Sequence, residues 1–175
     1  NGMLQSNPLL SIILMLLTAM IVSATIAMLS ERIAYRPLRR APRLVPLITA
    51  IGVSYFLQYT ARGLFGSGVE AFPNVPALTG SISMGPITLQ KSQIAVFIAT
   101  GVLLLILWVL VSKTKIGRAI RSVAEDKDAA ALMGVDVDRA IATSFAIGGI
   151  MAGAAGVMYG LVFRQVAFYM GFVPG

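Results

Sequence analysis

Leu9 to Leu29 is a run of 21 residues with no charged side chain. As a helix rising about 1.5 Å per residue it would be about 31 Å long, matching a hydrocarbon core about 30 Å thick. Three further apolar runs follow. Ile94 to Ser112 and Ala140 to Phe163 carry no charge, the latter being interrupted only by glycines, while Leu44 to Tyr59 reaches spanning length by running on through Arg62 to Phe65. A single such run could be the core helix of a large soluble protein, but recurrence at about 20 residues reads as membrane spans. The first run is not a secretory signal, because its apolar region is too long and no small-residue cleavage site follows it. The expected fold class is all-α: a polytopic membrane helix bundle with transmembrane helices at about 9–29, 44–65, 94–112 and 140–163, in one domain over 1–175.

Composition agrees with this class. Hydrophobic residues make up 57% of the chain and charged residues 12%, where a soluble domain averages about 25% charge. The net charge of +7 does not point to nucleic acid, because the basic residues fall in short connections between apolar runs and not along one amphipathic face. The chain has no Cys and no His. That removes disulfides, thiolate metal sites and the usual zinc and non-haem iron sites, so no metal or cofactor is expected.

Charge placement predicts the orientation. The first connection, Ser30 to Arg43, carries Arg32, Arg36, Arg39, Arg40 and Arg43 against one acid, Glu31. The second, Gly66 to Gln93, has one base, Lys91, and one acid, Glu70; the third opens with Lys113, Lys115, Arg118 and Arg121. By the positive-inside rule the first and third connections are cytoplasmic, and both ends of the chain lie on the outer side. Asn1 is not an initiator Met and Val173-Pro174-Gly175 is a turn signal soon after a span, so the chain reads as the central piece of a longer membrane protein.

The third connection, Lys113 to Arg139, concentrates the charge. It holds six of the fourteen basic residues and five of the seven acidic ones. Its residues predict two short surface helices. Over Gly117 to Ala124, Arg118 and Arg121 share one face, with Ile120 and Val123 on another. Asp126 is a candidate N-cap for a helix running to Met133, with Asp128 in its first turn, and Gly134 can end it. Asp136 can cap the fourth span. Such a hairpin could simply lie solvated on the membrane surface, but its Ala-Leu-Met edge is also what a membrane subunit would offer to a groove on a soluble partner.

At these residues the chain resembles a known family. The runs Gly117-Arg118-Ala119-Ile120-Arg121-Ser122-Val123-Ala124-Glu125-Asp126 and Leu132-Met133-Gly134-Val135-Asp136-Val137-Asp138-Arg139 are similar to the cytoplasmic loop of branched-chain amino acid ABC transporter permeases of the LivH type. Glu31 to Arg39 resembles that family's first internal basic loop, and Leu47 to Gln58 the span after it. The resemblance implies a permease subunit with no enzymatic activity of its own in a bacterial inner membrane. Its implied partners are a second permease subunit, two cytoplasmic ATPase subunits and a periplasmic substrate-binding protein. It also implies an ATPase-coupling role for Gly117, Arg118, Arg121, Glu125, Asp126, Leu132, Met133 and Gly134. The cargo would be a branched-chain amino acid, or urea or a short-chain amide within the same family; the rival class is a non-transporting membrane scaffold that docks a soluble regulator.

The remaining signals fit a transport subunit. No G-x-x-x-x-G-K-[ST] occurs, and Gly63-Leu64-Phe65-Gly66-Ser67-Gly68 lacks its Lys, so that stretch reads as an outer turn. Without His no Ser-His pair can form. In the fourth span Gly149, Gly153, Gly156 and Gly160 lie at spacings that let helices approach closely in lipid. Thr49, Ser54 and Gln58 in the second span either line a substrate path or bond neighbouring helices. Arg62 and Arg164 near the outer ends of spans either meet a substrate carboxylate or reach lipid headgroups. No acidic residue or His sits within a span to support ion coupling.

Overall fold

The computed structural model describes residues 8–38, 41–42, 44–72, 80–84, 87–167 and 170–171. Arg39, Arg40 and Arg43 of the first basic connection, and the turn signal Val173-Pro174-Gly175, lie outside the described residues. In a medium without water each backbone N–H and C=O must bond within its own segment, so apolar runs of this length fold as helices. Helix α1, Pro8–Ser30, continues into a π-helical segment, Glu31–Tyr35, and a 3-10 turn, Arg36–Leu38. Helix α2 is Leu44–Phe65 and α3 is Lys91–Lys113. Two short helices follow, α4 at Lys115–Glu125 and α5 at Lys127–Leu132, before the long α6 at Val137–Phe163. Four of these helices are long and apolar enough to cross a membrane. The all-α, polytopic class expected from hydropathy holds.

The first connection departs from its expectation as a loop. It stays helical to Leu38, and Glu31 is buried within it at 5% exposure. The π-type bond from the Arg36 N–H to the Glu31 carbonyl widens the turn, and Pro37 fits the final 3-10 turn, where its missing N–H costs little. Two small strand pairs were not expected. Strands β2, Ser81–Met84, and β3, Ile87–Gln90, form an antiparallel hairpin before α3. Strand β1, Glu70–Ala71, pairs with β4, Gln165–Val166, and the Phe72 N–H donates to the Arg164 carbonyl at 3.1 Å. That pair ties the segment after α2 to the end of α6, far from the charged connection.

The most extensive packing joins α1 to α6. A Cβ built at Gly149 would lie 2.7 Å from Ala27 Cβ and 2.8 Å from Ala24 Cα; one at Gly153 would lie 2.8 Å from the Ala19 carbonyl carbon. Only glycine fits at that separation, and the small side chains of Ala19, Ser23, Ala24 and Ala27 supply the matching face. Gly160 sits against the Phe72 ring, where an added Cβ would lie 2.7 Å from the ring Cε2. Gly156 differs from its expected packing role: nothing lies within 4 Å of a Cβ there. It is exposed on α6, as is Ala152 one turn earlier. By contrast α2 has no buried residue and α3 has only Ser92.

Candidate functional site

The charged connection is built by caps and one crossing. Thr114, extended at ψ 161, follows α3, and its Oγ1 accepts the Gly117 N–H at 3.1 Å to start α4. The chain turns back so closely that a Cβ at Gly117 would overlap the backbone carbonyl oxygens of Leu110 and Val111. Lys113 places its Nζ 5.6 Å from the Trp108 ring centroid, a cation–π contact at the α3 end. Along α4 the apolar side turns in, with Val123 buried, while Arg118, Arg121 and Glu125 stay exposed.

Asp126 separates the two short helices. Its Oδ1 accepts the N–H groups of Asp128 at 2.8 Å and Ala129 at 3.1 Å, a cap of the kind that contributes about 1 kcal/mol. Gly134, at φ 81, closes α5: its N–H bonds the Ala131 carbonyl and the Val135 N–H bonds the Ala130 carbonyl, both at 3.0 Å. This double bond pattern needs a left-handed residue, which glycine adopts without strain. Asp136 then caps α6 by accepting the Arg139 N–H at 3.0 Å, and also pairs with Arg139 Nε at 3.0 Å. Beneath these caps lies a small core of Val123, Ala130 and Ala140, with Val135, Val137 and Ile141 packed against it. The result is a stiff hairpin seated on the first turn of α6. Its outward edge is Leu132 at 88% exposure and Met133 at 85%.

The residues expected to meet an ATPase therefore divide. Arg118, Arg121, Glu125, Leu132, Met133 and Gly134 are exposed on the hairpin. Asp126 is exposed but its carboxylate is engaged in the cap. Gly117 is buried, so its requirement is the α3–α4 crossing and not a partner surface.

The candidate path residues do not form one face. Thr49 and Gln58 are nine residues apart, about half a revolution around a helix at about 3.6 residues per turn. Thr49 Oγ1 donates back to the Val45 carbonyl at 2.9 Å, and Gln58 Nε2 donates to Ser54 Oγ at 3.3 Å, so these groups are bonded within α2. A groove of about 500 Å³ runs instead between α1, α2 and α6, lined by Ser23, Ile26, Ser30, Leu57, Ser144 and Phe145 among others. Leu57 adjoins Gln58. At the opposite end Arg62 and Arg164 are exposed, and Arg164 ends α6 in the left-handed region at φ 55.

Sequence reasoning missed the joint between the first connection and α6. Arg36 Nη2 lies 3.4 Å from Asp138 Oδ2, and the Tyr35 and Phe145 rings are tilted with centroids 5.0 Å apart. No local pattern signals pairs more than a hundred residues apart. The positive φ and the caps, in contrast, were readable from Gly134, Asp126 and Asp136 themselves.

The family model described as branched-chain amino acid transport system, permease component, matches residues 1–174. The chain is 37% identical over 160 residues to the high-affinity branched-chain amino acid transport system permease protein LivH of Salmonella typhimurium, covering 90% of this chain and 52% of that protein. It is 36% identical over 160 residues to LivH of Escherichia coli K12, with the same shares covered. It is also 36% identical over 172 residues to the permease protein BraD of Pseudomonas aeruginosa, covering 94% of this chain and 56% of the relative. The chain thus spans about half the length of the curated relatives it matches. No solved structure matches it. With the match running from the first span through the charged hairpin to the end of the chain, this protein belongs to the branched-chain amino acid transport system permease family.

Proposed function

We propose that the chain is part of a permease that imports branched-chain amino acids across a bacterial inner membrane, and that the α4–α5 hairpin receives the motion of cytoplasmic ATPase subunits. In this reading the hairpin faces the cytoplasm, as the basic residues around it favour. The observation that carries the reading is the Leu132–Met133 edge. Two large apolar side chains stand almost fully exposed on a hairpin that is capped at every helix end and keyed to α6. A surface of this kind stabilises a complex by burying itself in a groove on a soluble protein. The exposed Arg118, Arg121 and Glu125 would then set its orientation. A second permease subunit and a periplasmic binding protein complete the assembly. Transport follows the groove between α1, α2 and α6, with Leu57 as the α2 wall; its serine hydroxyls and apolar walls suit a substrate with a polar head and an aliphatic side chain.

Uptake by the full-length permease with its partners tests the cargo. Leucine is expected to enter at least about tenfold faster than serine or urea, because an aliphatic side chain is recognised by apolar contact that neither competitor can make. Faster urea entry would reassign the cargo to small amides, and entry of none of the three would contradict an amino acid importer.

A further inference from the structure

Helices α1 and α6 are joined at two levels. Within the spans, Gly149 and Gly153 let the α6 backbone settle on the small face of α1. Nearer the charged connection, the extension of α1 reaches α6 again through Tyr35 on Phe145 and Arg36 on Asp138. Asp138 belongs to the first turn of α6, and its neighbours Val137 and Ile141 pack on the core of the α4–α5 hairpin. A cleft of about 430 Å³ at this point is lined by Arg36 and Pro37 from one side and by Lys127, Asp128 and Asp138 from the other. The hairpin, the α1 extension and the start of α6 therefore meet in one place. Helix α3 meets the hairpin at the Gly117 crossing, while α2 shows no comparable joint to it among the described residues.

We infer that Arg36 and Asp138 are positioning residues that make α1 and α6 one moving body, so that a displacement of the hairpin carries both spans together. The inference rests on the coupling role proposed above. The π-helical segment supports it, because the wider turn re-aims Tyr35 and Arg36 relative to an uninterrupted α-helix, and such segments are frequent at functional sites. Both members of the pair are about half exposed, at 53% and 55%. Such a pair adds little to stability, so its contribution is the register of the α1 extension on α6, and breaking it should leave the fold in place.

The test uses the full-length permease assembled with its ATPase subunits and binding protein in proteoliposomes, reading labelled leucine moved per ATP hydrolysed. Wild-type protein that moves no leucine would contradict the proposed function, whereas the variants address the joint alone. Arg36→Asp and Asp138→Arg are each expected to lower leucine moved per ATP by about tenfold. The double exchange is expected to restore the ratio to within about twofold of wild type. Single variants with a wild-type ratio, or an exchange that restores nothing, would overturn the inference. If the exchanged charges impair insertion, Arg36→Cys and Asp138→Cys can be bridged by a short bis-maleimide. One moving body keeps transporting when bridged; transport lost only on bridging overturns the inference.

Discussion

Replacing Gly117 by valine is expected to leave little folded permease in the membrane. The position is buried where α4 crosses the end of α3, and a Cβ there would overlap two backbone carbonyl oxygens, those of Leu110 and Val111. A side chain that collides with another side chain can be accommodated by a change of rotamer. Here the obstacle is helix backbone, so the collision is relieved only by moving α4 away, which also withdraws the Gly117 N–H from Thr114 Oγ1. Overpacking costs about 1–3 kcal/mol where neighbours can yield, and this site lies at or above the upper end. Thermal unfolding of the detergent-solubilised protein reads the effect, with Arg118→Ala as the exposed neighbour expected to stay within about 0.5 kcal/mol of wild type. A Gly117→Val protein with wild-type stability and impaired coupling would instead make Gly117 a partner contact, and the crossing described for it would be wrong.

The second large effect is expected at Gly153→Leu, with Gly149→Leu close behind. Both residues lie where α6 touches α1 backbone, and a leucine at either would separate the two helices along their main contact. In lipid that contact is held by close packing and not by exclusion of water, so lost proximity is not offset by a hydrophobic gain. Gly156→Leu provides the comparison, since open space surrounds that position. The expected order of damage, read as resistance to unfolding in graded detergent, places 153 and 149 well ahead of 156. Equal damage at all three would mean that the exposed edge of Ala152 and Gly156 is packed as tightly as the α1 face.

How much of this was legible beforehand depends on the range of the interaction. Spans were readable because chargeless runs of bilayer length leave the backbone no alternative to a helix. The hairpin was readable because its punctuation is local: Asp126, Gly134 and Asp136 act within three or four residues of themselves. The glycine spacing in α6 announced close packing, but not which neighbour would use it, and Gly156 shows that spacing alone does not decide. Thr49, Ser54 and Gln58 looked alike as polar residues in a span, yet their helical phase puts Thr49 opposite Gln58. The Arg36–Asp138 pair and the β1–β4 pair were invisible, because nothing within either segment specifies a partner so distant in the chain.

The most direct test of the central claim is a photocrosslinking residue placed at Leu132 in the full-length permease, co-expressed in cells with its ATPase and binding-protein partners. Ser67, exposed beyond the far end of α2, serves as the control position. Leu132 should crosslink to the ATPase subunit and Ser67 should not. An ATPase adduct at Ser67, or none at Leu132, would contradict the assignment of the α4–α5 hairpin as the surface through which transport is driven.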